Sequence, residues 1–351
     1  MKILFISLGC DKNLADSEEM LGLLTGNGHE IVDSEEEADA IVINTCCFIH
    51  DAKEESVNTI LEMAEYKKTG TCKILIVTGC MAQRYKEEIT EEIPEVDAVL
   101  GTTSYGDIVK ALNEAEAGHV FREFKDINAL PEDSGRRVIT TGGHFGYLKI
   151  AEGCDKHCTY CIIPSLRGKF RSVPEERLLK QAEYMASQGV RELILVAQET
   201  TVYGTDLYGK KTLHILLKKL CQIKGIRWIR VLYCYPEEIT DELIAVMKKE
   251  KKICHYLDIP IQHSEDTILK RMGRRTNRAE LVSLVEKLRK EIPDIVLRTT
   301  LITGFPGETE EEFKNMVDFV DSMEFDRLGV FPYSAEEGTK AAEMDGQITE
   351  E

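Results

Sequence analysis

No stretch of this 351-residue chain stays apolar for long. Runs such as Ile74–Val77 fall far short of the roughly 20 residues that a bilayer-spanning helix needs, so no membrane span or membrane partner is expected. Positive charge is also scarce: 44 lysines and arginines face 62 acidic residues, for a net charge of −18. Such a chain repels nucleic-acid phosphate and suits a basic protein partner better, although acidic surface is also an ordinary solubilising background. There is no repeat at solenoid period and no low-complexity segment. An export signal is missing as well. Met1–Cys10 has the lysine, apolar run and Gly-Cys step of a lipoprotein leader, but Ile3–Leu8 is shorter than a signal core and folded, periodic sequence follows. It reads as a buried first strand of a cytoplasmic protein.

Cysteine, by contrast, is plentiful, with eleven in the chain. Without export these thiols argue against a disulfide framework, and their clustering in sequence points to metal or catalysis. The length exceeds what one hydrophobic core usually supports, so two domains are expected. Strand-like runs at Ile3–Leu8, Ala40–Asn44, Lys73–Thr78 and Ala98–Leu100 alternate with helical stretches at Ser17–Leu24 and Asp51–Lys67. In the latter, Val57, Ile60, Leu61 and Ala64 form a core-facing stripe. This alternation predicts a parallel, Rossmann- or flavodoxin-like α/β domain over 1–125. Periodicity fades between about Gly118 and His144, where Pro131, Gly135, Gly142 and Gly143 punctuate it, and 126–143 is the expected linker. Six further strands are expected at Tyr147–Ala151, Glu192–Ala197, Trp228–Leu232, Tyr256–Pro260, Ile295–Ile302 and Arg327–Phe331. Helices separate them, for example at Glu175–Ser187, Thr240–Lys249 and Glu310–Met323. Six βα units over 144–351 predict a partial (βα)6 TIM-like barrel.

The sharpest local pattern is Cys154-Asp-Lys-His-Cys158-Thr-Tyr-Cys161, directly after the first strand of the second domain. Three thiolates on one short loop can hold three irons of a 4Fe-4S cluster and leave the fourth open to a substrate atom. Structural zinc is the alternative. It wants four closed ligands, but no second CxxC pair lies nearby, and His157 would have to double back. Cys154, Gln198, Tyr233, Gln262, Gly304 and Tyr333 all fall at or just past the C-terminal ends of the expected strands, the rim where βα barrels build active sites.

The first domain repeats the pattern. Cys10, Cys46 and Cys80 each follow one of its first three expected strands, so parallel pairing at about 4.8 Å per strand brings them to one sheet edge. Burial as ordinary core thiols is the competing explanation for any one of them, and three at equivalent positions reverse that preference. Cys47 and Cys72 break the pattern, and Cys221, Cys234 and Cys254 read as barrel or helix thiols.

The CxxxCxxC run, together with Leu301-Ile302-Thr303-Gly304-Phe305-Pro306-Gly307-Glu308 after the fifth barrel strand, resembles the radical S-adenosylmethionine (SAM) superfamily. The resemblance implies SAM bound to the open iron. Tyr160 would lie near the adenine, and Gln198, Gly304, Gly307 and Glu308 would belong to the cofactor site. Gly9-Cys10, Asn44-Thr45-Cys46 and Thr78-Gly79-Cys80 narrow the resemblance to the methylthiotransferases, with Cys10, Cys46 and Cys80 as ligands of a second 4Fe-4S cluster. Gly9-Cys10-Asp11-Lys12-Asn13 with Asp16-Ser17-Glu18, and Ala197-Gln198-Glu199-Thr200-Thr201, are similar to the branch that modifies an aspartate of ribosomal protein uS12, although Glu199 is more usually aspartate there.

That branch implies uS12 or the small ribosomal subunit as partner, a flavodoxin- or ferredoxin-type electron donor, and a monomer. A tRNA (N6-isopentenyladenosine) methylthiotransferase is the alternative of the same chemistry; a non-catalytic zinc or iron–sulfur scaffold is the alternative of another class. Family members normally continue into a small β-barrel, the TRAM domain, whereas this chain ends in a helix-like stretch at Glu351. Either a piece is absent or substrate docking differs. Softer features are Arg167, Lys169 and Arg171, which follow the cluster loop closely enough to face the site. The basic island Lys270, Arg271, Arg274, Arg275 and Arg278 reads as a solvated helix end, with binding of an anionic substrate group or the SAM carboxylate as the alternative, and His263 either lines the pocket or packs.

Overall fold

The computed structural model describes residues 1–132 and 135–348. They form two compact units, Met1–Thr140 joined by Ile163–Lys169, and Thr141–Ile162 with the chain from Phe170 onward.

The first unit is a parallel six-stranded sheet in the order β2-β1-β3-β4-β5-β6. Its strands are β1 (Lys2–Ser7), β2 (Glu30–Val32), β3 (Ala40–Thr45), β4 (Ile74–Gly79), β5 (Ala98–Leu100) and β6 (Phe121–Glu123). Helices α1 (Asp11–Gly26), α2 (His50–Thr69), α3 (Cys80–Glu92) and α4 (Ile108–Glu116) connect them. The central strands β3 and β4 are buried along their whole length, which is why they read as unbroken apolar runs. Ile3, Val42, Ile76 and Leu100 from the sheet pack with Met20, Leu24, Ile108 and Leu112 from α1 and α4. The three-residue edge strands β2 and β6 carry too little pattern to be read from sequence.

Helix α1 starts at Asp11, a turn and a half before the periodic apolar residues predict. Its first turns bury Lys12, Asn13, Asp16, Ser17, Glu18 and Glu19, so polar groups take core positions where periodicity looks for apolar ones. Glu18 shows how this burial is compensated. Its Oε2 accepts two bonds from the Arg137 guanidinium, at 2.8 and 2.6 Å, and its Oε1 accepts from the Thr140 amide and hydroxyl, at 2.7 and 2.9 Å. The segment around Arg137 is thereby fastened to α1.

The second unit is a parallel sheet of six strands that neighbour one another in chain order. They are β7 (Phe145–Lys149), β10 (Glu192–Val196), β11 (Trp228–Val231), β12 (Ile253–Asp258), β13 (Val296–Thr303) and β14 (Arg327–Pro332). The two-residue strands β8 (Ala151–Glu152) and β9 (Arg171–Ser172) pair antiparallel beside them. Strand order that never reverses is the winding of a βα barrel, and among the described residues β7 and β14 are not paired, so the sheet is an open arc. Helices Glu175–Ser187 and Glu310–Met323 occupy the expected ranges. Helices Arg278–Glu291 and Glu310–Met323 open with capping boxes, Asn277 with Glu280 and Thr309 with Glu312, which fixes where each begins. No helix among the described residues is long and apolar enough to cross a membrane.

Glu18→Ala would strand the buried Arg137 charge. Breaking one partner of such a pair costs about 3–5 kcal/mol, so urea unfolding should show a midpoint lowered accordingly, while an exposed control such as Glu65→Ala should change little.

Candidate functional site

In the first unit, Cys10 caps the N-terminus of α1, Cys80 is the first residue of α3, and Cys46 lies in the turn between β3 and α2. Helix N-termini present free backbone N–H groups and a positive dipole end, which favour thiolate over thiol. Burial pushes the Cys46 thiol up to about 11, and the neighbouring sulfurs of Cys80 and Cys10 add to that rise. Cys80 is likewise raised, by burial first, with Cys10 acting in the same direction and the Arg167 guanidinium against it. Burial therefore keeps Cys46 and Cys80 as thiols on their own, beside the exposed Cys10, and a cationic iron–sulfur core would offset that penalty for thiolate ligands.

Asn13 assembles them. Its fully buried amide donates to the carbonyls of Leu8 and Thr45, at 3.1 and 2.9 Å, so it ties the loop of Cys10 to that of Cys46. Its Oδ1 lies 3.8 Å from the Cys80 sulfur and accepts from Arg167 at 2.6 Å. Its backbone carbonyl accepts from Asn44, whose amide also reaches Ser17. Close packing leaves no room at two glycines. A Cβ at Gly79 (φ +95°) would stand 2.3 Å from Asn44 Oδ1, and one at Gly9 (φ +85°) 2.7 Å from Cys46 Cβ. Cys47 shares the turn with Cys46, and burial pushes its thiol up to about 12. Cys72 points back to the Ile74 carbonyl at 3.4 Å, a core thiol.

In the second unit the paired strands β8 and β9 bracket the CxxxCxxC loop, and within it Thr159 N–H bonds Met272 C=O and Cys161 N–H bonds Cys158 C=O. His157 adopts a left-handed φ of +52°, backbone strain of the kind that collects at functional loops. The Cys158 sulfur has polar neighbours: the Tyr235 hydroxyl at 3.4 Å and an Arg274 N–H at 3.9 Å. Arg274 stacks on the Tyr235 ring at 4.3 Å and donates to Pro260 C=O at 2.7 Å. The basic island therefore divides. Lys270, Arg271 and Arg275 are exposed as expected, but Arg274 is buried against the cluster loop, because a guanidinium spread over an aromatic face loses little on leaving water. Lys156 joins Glu237 at 3.1 Å and Glu238, with Glu199 at 3.9 Å.

At the strand rim, Gln198 Oε1, Gln262 Oε1 and the Tyr333 hydroxyl are buried polar atoms with no protein partner. Each costs about 1–3 kcal/mol unless a ligand or water satisfies it, so this is a polar cradle for a bound molecule. Tyr233 and Gln262, with φ of +58° and +73°, add strain to the same rim. Beside it stands an aromatic wall in which Phe305 meets Tyr160 edge-on at 6.5 Å and Tyr333 at 5.3 Å. Gly304 faces open space, with nothing within 4 Å of where its Cβ would be. Gly307 and Glu308 are engaged within their own turn: Gly307 N–H bonds Gly346 C=O, and Glu308 Oε2 accepts from Phe305 N–H at 3.0 Å. The other Glu308 oxygen is 3.5 Å from the buried His263.

Three sulfurs in each set are the donor type an iron–sulfur cluster takes, one to each of three irons. Among the described residues no group of three His, Cys, Asp or Glu side chains stands close enough to hold a single metal ion. Sequence reasoning missed Tyr235, set Arg167 beside the CxxxCxxC loop rather than beside Cys80, and took Arg274 for surface. Asn13, Asp16 and Asn44 lay inside motifs that flagged them.

Known proteins resemble both parts of the chain. The model described as uncharacterized protein family UPF0004 matches residues 2–101, and that of the radical SAM superfamily matches 148–320. A ribosomal protein uS12 methylthiotransferase RimO of Lachnoclostridium phytofermentans is 68% identical over 349 residues, 99% of this chain and 79% of that protein. One of Clostridioides difficile is 52% identical over 100% and 79%. Among solved structures, the radical SAM methyltransferase TsrM of Kitasatospora setae superposes with a TM-score of 0.69 at 13% identity, covering 97% of this chain and 73% of that one. The radical SAM enzyme OxsB gives 0.62 at 15%, covering 97% and 54%. At such identities the two structures speak for the fold alone.

Asn13→Ala should release both cysteine loops of the first unit, so iron and acid-labile sulfide should fall by about half as one of two sites empties. Unchanged iron would show the loops hold themselves. Glu199 gives a pH signature. Burial lifts its carboxyl from an ordinary 4.5 to about 7, so the folded chain keeps a proton that the unfolded chain has lost. Protein free of clusters should therefore lose stability as pH rises from about 5 through 7, by on the order of 3 kcal/mol. In Glu199→Gln, unfolding midpoints should flatten over that window.

Proposed function

The chain belongs to the radical SAM methylthiotransferase family, and from that premise we propose that it attaches a methylthio group to the β-carbon of an aspartate in ribosomal protein uS12. The observation that carries this reading is the pair of cysteine triads, each gathered at the C-terminal edge of its own parallel sheet. One triad has the open polar rim of a SAM site beside it, and the other is held by the Gly9–Asn13 and Asp16–Glu18 motifs.

Bound at the two triads, 4Fe-4S clusters with SAM supply a 5′-deoxyadenosyl radical able to take hydrogen from an unactivated carbon, and the sulfur and methyl to be transferred. The chain's own residues do the rest. Cys154, Cys158 and Cys161 would hold three irons of their cluster, leaving one free for SAM. Tyr235 and Arg274 crowd the Cys158 sulfur with donors, which favours added negative charge on that side. Gln198, Gln262 and Tyr333 offer unspent polar atoms to the ligand, and Tyr160 with Phe305 forms an apolar wall suited to adenine. Gly304 leaves the space such a ring needs. Cys10, Cys46 and Cys80 hold the second cluster.

The net charge of −18 supports a basic protein substrate over tRNA. The proposal extends to a cytoplasmic monomer that receives its electron from a flavodoxin- or ferredoxin-type protein. Cysteines that cluster as ligand sets rather than as a disulfide framework are in keeping with a reducing compartment.

Replacing Cys154, Cys158 and Cys161 together by alanine should abolish 5′-deoxyadenosine formation. The corresponding Cys10, Cys46 and Cys80 variant should still cleave SAM but transfer no sulfur. A competition under anaerobic conditions tests the substrate: reconstituted protein, reductant and methyl-labelled SAM are offered a uS12 peptide and tRNA together. Label with added sulfur is expected on the peptide, and the same label on tRNA would overturn the substrate.

A further inference from the structure

The short helix α5 (Ile163–Arg167) lies in the stretch of sequence matched by the radical SAM model, just after Cys161, yet Ile163–Lys169 clusters with the first unit. Its attachment there is thorough. Thr102 Oγ1 donates to Leu166 C=O at 2.9 Å, and Lys169 N–H bonds Asn128 Oδ1 at 3.0 Å. A Cβ on Gly168 (φ +72°) would stand 2.5 Å from Ile127 C=O. This anchoring buries Arg167, at 3% exposure, among the first unit's cysteines. One N–H group donates to Asp16 at 2.8 Å, another to Asn13 Oδ1 at 2.6 Å, and the guanidinium also hydrogen-bonds the Cys80 sulfur. Its charge is felt at Cys46 as well.

A guanidinium has five N–H donors in a rigid fork, enough to serve all three partners together. Hydrogen bonds to the sulfurs and the charge nearby are what set an iron–sulfur cluster's potential, because reduction adds a negative charge that local cations stabilise. Asp16 offsets part of that charge from one side while the donors still point at Cys80. The expectation from the sequence, that Arg167 faces the site beside the CxxxCxxC loop, does not describe this position.

We propose that Arg167 is a positioning residue of the N-terminal cluster, holding Asn13 and the Cys80 sulfur and raising that cluster's reduction potential. A segment encoded within the radical SAM sequence thus completes the cysteine site of the other unit. The inference rests on the reading that Cys10, Cys46 and Cys80 bind a cluster, and the test separates the two.

The parent for the test is the full chain with Cys154, Cys158 and Cys161 replaced by alanine, reconstituted with iron and sulfide so that only the N-terminal cluster is present. Its midpoint potential is measured by redox titration followed by electron paramagnetic resonance. Arg167→Gln should shift the potential to a more negative value, and Arg167→Lys should lie between it and the parent. Asp16→Asn, which keeps the arginine and removes its counter-charge, should shift it the opposite way. This last variant carries the test if Arg167→Gln fails to fold, since mere structural damage gives no reason for a positive shift. Potentials equal to the parent's in both the Arg167→Gln and Asp16→Asn proteins would overturn the role of Arg167 and leave the cluster reading standing. A parent that takes up no iron would overturn the cluster reading itself, and the proposal with it.

Discussion

Much of the first unit depends on one buried amide. Asn13 sits where a helix would ordinarily place a leucine, and it spends its side chain on the carbonyls that end the approach to Cys10 and Cys46. A buried amide must satisfy its donors and acceptor or cost the fold several kcal/mol. The partners available are the loops that carry the cysteines, so satisfying Asn13 and gathering the sulfurs are the same event. The two glycines then follow from the closeness of that gathering. Asp16, Ser17 and Glu18 continue the pattern around the next turn of the helix. Each is buried against a named partner: Arg167, Asn44 and Arg137 respectively.

The second unit reaches a comparable result by other means. Its strands run in one direction and in chain order, so every strand ends at one rim. There the chain leaves polar atoms of Gln198, Gln262 and Tyr333 unspent and backbone strained at Tyr233 and Gln262, costs that a bound ligand offsets. An acidic protein also has to keep its anionic centres from being overwhelmed by its own field. At both triads an arginine is buried beside a cysteine sulfur, Arg167 at Cys80 and Arg274 at Cys158. Local cations within a chain of net charge −18 are a physical answer to that problem.

Legibility in the sequence followed burial and range. Strands such as Ala98–Leu100 and helices such as Glu175–Ser187 and Glu310–Met323 were readable because apolar periodicity is a local signal. The opening turns of α1 were not, because polar residues fill their buried face. Arg274 stood in a run of basic residues and was indistinguishable from its exposed neighbours until Tyr235 came to lie against it. Arg167 was drawn toward the nearer cysteines in sequence, although its partners Asn13 and Asp16 come from the start of the chain.

The sequence alone determined where the cysteines fall, one after each of three strands in the first unit and three on a single loop in the second, and that both units are parallel α/β. These are consequences of local pattern, since strand direction and loop position follow from periodicity and connection length. Tertiary structure decided which polar side chains are buried beside the sulfurs and what they bond to. Such a residue is stable inside only if a partner distant in sequence meets it, and that meeting exists only once the chain has folded.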